Sequence, residues 1–536
     1  LGDVYKRQIL YVYSFISGAD WADEVARIDR MSKITKQDVV DWANKYLGPE
    51  SYAIIYKREG KDPDEQKIAA PKITPIVTNR DSQSEFLSEI QTSQVQPIEP
   101  VFVDYKKDMS QFEAQPGIDV LYKKNETNDI FTLIYVFNTG TENDPALNLA
   151  FNYLSYLGTD KMTAEEIASE MYDIACSFYM NAGANQSSIQ ITGLSENMGK
   201  AMEIVEGLIA GAKPDEAILE NLKGDMLKSR ADAKLNQSRC FGALQRYLFY
   251  GGDFIRRTTL TDPALQALTS EQLLAKIGGL MGKQHEVLYY GPQKEAEVKS
   301  ALAKHHKVAA DLQPLEKKFS TLLPTDANKV VLAQYDAKQL YYLQFSNRGE
   351  KFDVAADPEI TLYNEYFGGG MNTIVFQEMR EARGLAYTAW ATLATPSNAN
   401  GDYSYYAFIA TQNDKMQKAV EAFDDIINNM PESEKAFGIA KEALVSRLRT
   451  ERTVKDGVLW SYLRARDLGL DAPRDKQIFE KVQSMTLDDV KAAQQKWVKG
   501  RKYVYGILGD IQNLDLNYLK TLGPIQTVSQ EEIFGY

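Results

Sequence analysis

Residues 367–395 read FGGGMNTIVFQEMREARGLAYTAWATLAT, and this stretch decides how the rest of the chain is read. Gly368, Gly369 and Gly370 form a run that a helix or strand interior tolerates poorly, so the backbone turns sharply or is approached closely there. From Met371 the apolar residues Ile374, Val375, Met379 and Ala382 fall at roughly helical spacing. Gly384 stands where a helix C-cap glycine belongs, with Arg380 and Arg383 in the last turn. Leu385 to Thr395 then runs in small, aromatic and β-branched residues, as a strand does. The spacing places Arg380 and Tyr387 on either side of a helix-to-strand corner. Such a corner can aim a guanidinium and a phenol at one carbonyl oxygen.

An arginine ending a helix is ordinarily a dipole partner, and a tyrosine in a strand is ordinarily core. The whole string, however, closely resembles the C-terminal-half signature of the M16 zinc peptidases, the insulinase, pitrilysin and processing-peptidase family. The resemblance implies that Arg380 and Tyr387 hold substrate, with the Gly368–Gly369–Gly370 turn beside them, next to a zinc site carried by a different half of the enzyme.

Composition narrows the alternatives. The chain has 536 residues, enough for two to four domains, with the 44% hydrophobic and 25% charged content of ordinary globular proteins. A net charge of −13 argues against a nucleic-acid partner, because phosphate binding needs a basic face. The apolar run Ile9 to Ile16 is too short to span a bilayer. Cys176 and Cys240 are too few for a disulfide framework or a cysteine-based zinc site. The compartment stays open; soluble residence in a bacterial periplasm or cytoplasm is what the resemblance suggests.

The organisation comes from an internal repeat. Residues 31–60, 266–291 and 482–509 each contain a threonine (Thr35, Thr269, Thr486) opening a helix with acidic or amide residues in its first turn, followed by a hydrophobic strand ending near a glycine. Three such endings mark three domain ends, yet only two domain beginnings match them. Residues 1–8 (LGDVYKRQ) do not continue the pattern behind them and are set aside as an artefact. Residues 9–60 read as the tail of a truncated domain, and the polar, proline-dotted residues 61–100 as a linker between halves. Residues 101–320 and 325–536 are then two tandem domains. Both follow the order strand, strand, helix, helix, strand, strand, helix, then the repeated ending. That order specifies an α+β fold, helices on one face of a largely antiparallel sheet. By resemblance these are the third and fourth M16-type domains, with the tail of the second before them.

A zinc peptidase of this family carries H-x-x-E-H on a helix. The three histidines, His285, His305 and His306, fit no such motif, and the last two read as a lysine-bordered surface segment. Aligning the repeat puts the zinc slot of the third domain on Leu149, Ala150, Phe151, Asn152 and Tyr153, none able to replace ligand or base. The Arg–Tyr slot falls on Tyr172 and Tyr179. The expectation is therefore no catalytic residue and no metal ligand in this chain. Zinc would be bound by an N-terminal half, on the same chain or a separate subunit, and a peptide would be the substrate. No G-x-x-x-x-G-K-[ST] follows the triple glycine, which disfavours nucleotide binding. Asn125, Asn185 and Asn236 begin glycosylation-type tripeptides. The aromatic strand Asp402–Thr411 reads as sheet core, or as an edge that could add a substrate strand. Three functional readings follow: half of a zinc endopeptidase, a non-catalytic Arg–Tyr-bearing partner subunit, or a structural relative.

Overall fold

The computed structural model describes residues 2–56, 60, 84–94 and 96–536. The chain divides into two units, residues 1–94 and 95–536. The first unit contains helices Gly2–Ser17, Trp21–Val25, Arg27–Met31, Lys36–Tyr46 and Glu85–Thr92. The helix from Gly2 runs without a break through residues 2–8, which sequence reasoning set aside. Most of the expected linker, residues 61–83, lies outside the described residues, and its later part holds the helix Glu85–Thr92.

In the second unit two six-stranded sheets follow one another. The first contains β1 (Ser110–Gln115), β2 (Ile118–Lys124), β3 (Ile130–Phe137), β4 (Cys176–Ala182), β5 (Ser187–Leu194) and β6 (His285–Gly291), in the order β1-β2-β6-β3-β5-β4. The second contains β7 (Lys329–Gln334), β8 (Gln339–Lys351), β9 (Thr388–Ala394), β10 (Asp402–Gln412), β11 (Val504–Gly509) and β12 (Ile525–Val528), in the order β12-β7-β11-β8-β10-β9. Both sheets are largely antiparallel; the parallel pairs are β2–β6 in the first and β7–β11 and β7–β12 in the second. The α+β class and the paired architecture expected from the repeat are thus observed. The short strands β1 and β12 were not foreseen.

The repeated threonine endings are built alike. Thr35, Thr269 and Thr486 each form a capping box, with Asp38, Gln272 and Asp489 respectively. Such reciprocal bonds satisfy two of the backbone donors that open a helix. In the second unit the helix beyond the cap packs inward: Leu273 and Val490 are fully buried, and the strands that follow are β6 and β11. In the first unit the matching Val39 is exposed, and residues 52–56 form no strand.

Alternation along the central strands explains why both sheets are covered twice. On β3, Phe131, Leu133, Tyr135 and Phe137 face the helices of their own domain, while Ile134 and Val136 face the other way. That second face is covered by helix Gly457–Asp467, from the other end of the unit, through Val458, Leu459 and Leu463. Arg466 of this helix makes a two-pronged ion pair with the buried Glu286 of β6, at 2.5 and 2.8 Å. The second sheet is treated in the same way. Tyr403, Tyr405, Ala407 and Ile409 of β10 face their own helices, while Phe408 and Ala410 meet Leu244 and Leu248 of helix Gln237–Thr258. Gly506 on β11 leaves room for Leu248; a Cβ there would lie 2.2 Å from a Leu248 methyl. Each domain thus lends one helix to the other's open sheet face, so helices lie on both faces rather than one.

Candidate functional site

The segment 367–395 forms the corner that its sequence implies, with two local differences. Helix Asp357–Phe367 ends at the glycine turn, and a Cβ on Gly368 would fall 2.5 Å from the Ala391 carbonyl oxygen and 2.7 Å from that of Asn364. Only glycine allows this approach, which lets Ala391 N–H donate to the Gly368 carbonyl at 3.1 Å. Gly369 has open space around it and Gly370 only an ordinary contact with Thr373. The helix begins at Ile374 rather than Met371 and widens to a π-helix over Gln377–Ala382. Arg383 N–H accordingly donates to the carbonyl five residues back, on Glu378, at 3.1 Å. Gly384 takes φ +57, the left-handed conformation of a helix-ending glycine. Leu385 N–H then closes on the Met379 carbonyl at 2.9 Å.

Arg383 clamps this end to its surroundings, with Nε 3.3 Å from Glu378 and Nη2 2.8 Å from Asp425 on helix Met416–Asn428. Thr411 of β10 donates to the Leu385 carbonyl at 2.6 Å. On this frame Arg380 and Tyr387 meet. The guanidinium carbon lies 4.5 Å from the Tyr387 ring centroid and 4.9 Å from that of Phe376, a cation–π sandwich. Arg380 Nη1 also donates to the Tyr387 carbonyl at 3.4 Å. Tyr387 is 73% exposed. The pair stands at the start of β9, which lies at the edge of its sheet.

The aromatic strand Asp402–Gln412 is not an edge. It is paired on one side with β8 and on the other with β9, so it has no free ladder to add a peptide strand. β9 holds that position instead. The Asn125 tripeptide is also not a surface acceptor: Asn125 is buried, and its side chain bonds Asn128, Ile130 and Thr127 in a local turn.

In the third-domain slot, Leu149, Ala150, Phe151 and Tyr153 are core residues of helix Leu147–Leu154, and the Tyr153 hydroxyl bonds Ser270 at 2.7 Å. This donor set does not fit zinc, and among the described residues no group of three or more His, Cys, Asp or Glu side chains is placed to hold a metal. Tyr172 and Tyr179 are exposed at the corresponding corner.

The histidines depart most from expectation. His285, His305 and His306 are all buried, so the surface reading of the last two is overturned. His285 Nε2 and His306 Nε2 lie 2.8 Å apart, and His306 Nδ1 lies 2.5 Å from Glu206. His285 Nδ1 lies 2.8 Å from the Lys283 carbonyl oxygen. A carbonyl only accepts, so Nδ1 of His285 carries the proton and its Nε2 accepts from His306. Burial first, and His306 second, pull the His285 pKa down to about 4. Phe137 and Tyr135 wall the pair, with ring centroids 4.6 Å from His285 and 4.1 Å from His306 respectively. The lysines that suggested a surface, Lys304 and Lys307, flank imidazoles that turn inward.

Comparison with known proteins finds relatives among the M16 peptidases. Residues 284–444 match the family model described as the peptidase M16 inactive domain. An uncharacterized zinc protease of Streptomyces coelicolor is 22% identical over 266 residues, covering 46% of this chain and 56% of the relative. Among solved structures, a peptidase M16 inactive domain from Pseudomonas fluorescens superposes with a TM-score of 0.59 at 18% identity, over 75% of this chain and 98% of that one. The periplasmic protease PqqL from Escherichia coli superposes with a TM-score of 0.57 at 13% identity, over 90% of this chain and 52% of that one. The chain therefore spans little more than half the length of these two proteases. No helix among the described residues is long and apolar enough to cross a membrane. The chain thus carries a match to the M16 inactive-domain model at residues 284–444, and its two six-stranded domains share the fold of solved M16 peptidase structures.

Proposed function

We propose that this chain is the substrate-holding half of an M16 zinc endopeptidase acting on peptides, with Arg380 and Tyr387 orienting and polarising the carbonyl to be cleaved. The zinc and its general base belong to an N-terminal half, and residues 9–60 are the tail of that half's second domain. The observation that carries the reading is the Arg380–Tyr387 stack: a cation and an exposed phenol held together at an edge strand by a clamped helix end. A structural scaffold needs no such exposed pair. The guanidinium rests on the ring and reaches the Tyr387 carbonyl at 3.4 Å and Glu381 at 3.4 Å; a peptide carbonyl lying along β9 offers both groups a shared acceptor.

The test is peptide hydrolysis by the enzyme formed with the zinc-bearing half. Arg380→Ala and Tyr387→Phe are each expected to lower kcat/KM by about 10²-fold with bound zinc unchanged. Undiminished hydrolysis in both variants refutes the role. If the zinc-bearing half proves to be a separate polypeptide, the same loss in the mixed complex makes this chain its non-catalytic partner subunit.

A further inference from the structure

A cavity of about 410 Å³ opens between helix Leu147–Leu154, helices Glu216–Lys234 and Gln237–Thr258, and the terminal helix Gln530–Phe534. Every charged side chain lining it is an arginine: Arg230, Arg239 and Arg246. The chain as a whole carries a net charge of −13, so the charge of this lining is opposite in sign to the overall balance. Arg230 is neutralised by Asp262 and lies over the Tyr536 ring, its guanidinium carbon 4.3 Å from the centroid. Among the described residues neither of the other two makes an ion pair within 4.0 Å, though Glu142 acts on Arg246 at longer range. Arg246 is half-buried and donates to the Thr258 hydroxyl at 2.6 Å, and among the described residues no carboxylate pairs with it. Burial lowers its pKa, against a raising effect of Glu142 and then Tyr250. Arg239 stands on the same helix, two turns earlier, and its guanidinium has no carboxylate partner among the described residues. Asn148 adds a neutral donor to the lining, while the Thr258 hydroxyl donates to the Phe254 carbonyl at 2.8 Å and serves to hold Arg246.

A half-buried cation that Glu142 offsets without a close ion pair is only partly compensated, and a second cation on the same cavity wall repels it. A bound anion removes both costs. The arginine fork matches phosphate and carboxylate oxygens alike, and the volume is that of a small-molecule site. The cavity also lies over Leu149, the first position of the zinc slot that the third domain lacks. No residue of the Arg380–Tyr387 corner lines it. We propose that this cavity is a binding site for a small multivalent oxyanion, a phosphate or a carboxylate ligand, gripped by Arg239 and Arg246, with Thr258 holding the Arg246 guanidinium in place.

Calorimetric titration of the whole chain at low ionic strength, with pyrophosphate and separately with citrate, tests it. At least one is expected to bind with a sub-millimolar Kd. Arg246→Met and Arg239→Met should each weaken that binding by about tenfold or more, whereas the exposed Lys213→Met should not. Tighter pyrophosphate binding assigns the natural ligand to phosphates, and tighter citrate binding to carboxylates. Arg239 is exposed, so its variant carries the test if Arg246→Met does not fold. Absence of binding by both anions up to millimolar concentration overturns the proposal. So does binding that survives both arginine variants, or that falls equally in Lys213→Met.

Discussion

Stability should fall on acidification through one identifiable group. His285 is buried and bonded on both nitrogens, donating to Lys283 and accepting from His306. Protonating Nε2 would set two N–H groups head to head across 2.8 Å. That repulsion, added to desolvation, holds its pKa at about 4 against 6.5 for the free side chain. The native state therefore binds fewer protons than the unfolded state between these two values. The contribution to stability is complete above pH 6.5 and is lost as the pH falls to about 4. At pH 5 the two proton-binding polynomials differ by a factor of about 30, a loss of about 2 kcal/mol from the value near pH 7.5. Asp357 and Asp424 act in the opposite direction. Burial pushes both carboxyls up to about 6, so their contribution falls as the pH rises from 3.8 through that value. The total curve mixes these terms, and the difference between wild type and His285→Gln isolates one of them. Urea unfolding followed by circular dichroism should show wild-type stability dropping by about 2 kcal/mol more than that of the variant between about pH 7.5 and about pH 5. Parallel curves for the two proteins would refute the assignment of protons along the Lys283–His285–His306–Glu206 chain.

Two further substitutions separate packing from charge. Gly368→Ala must push β9 away from helix Asp357–Phe367, and should cost about 1–3 kcal/mol in urea unfolding, whereas Gly369→Ala, with open space at its Cβ, should stay within about 0.5 kcal/mol. Arg466→Ala leaves Glu286 buried without its partner beneath the lent helix, and urea unfolding should show stability lower by about 2–4 kcal/mol; an unchanged midpoint would refute the role of the pair.

How far the sequence could be read depended on whether a residue's surroundings were local. The strands IFTLIYVF and YSYYAFIA were legible because apolar residues occupy both alternating sets, and each set does meet a covered face. What covers the second face was not legible, since the covering helices come from more than a hundred residues away. The same non-locality hid the sheet order, so the aromatic run Asp402–Thr411 could be taken for an edge although β9 flanks it. The strands SQFEAQ and IQTV are short and half polar, as edge strands commonly are, and fell below any periodic signal. The corner at 380–387 was legible because its parts lie within one turn and one strand. The glycine ending and the seven-residue spacing needed no distant partner to be recognised. The histidine cluster had the opposite character. Glu206, His285 and His306 are brought together from a helix, a strand and a connector, and no pattern within reach of any one of them signals the others.

The lent helices bear on how the corner could work. Groups that polarise a carbonyl must be held to within about half an ångström, which loops seldom manage and packed elements do. Arg380 sits on a helix end fixed by Arg383 to Asp425 and by Leu385 to Met379. Tyr387 opens a strand whose neighbour, β10, is packed on one face by its own helices and on the other by helix Gln237–Thr258 of the preceding domain. Trp390 of β9 stacks on Phe408 of β10, with centroids 5.5 Å apart, and Phe408 in turn meets Phe241 of that lent helix at 5.0 Å. The edge strand is thus anchored, through two aromatic contacts, to a domain that carries no Arg–Tyr pair of its own. A domain with Tyr172 and Tyr179 at its corner and core residues in its zinc slot has still a mechanical part to play, because without its helix the sheet behind Tyr387 would face water.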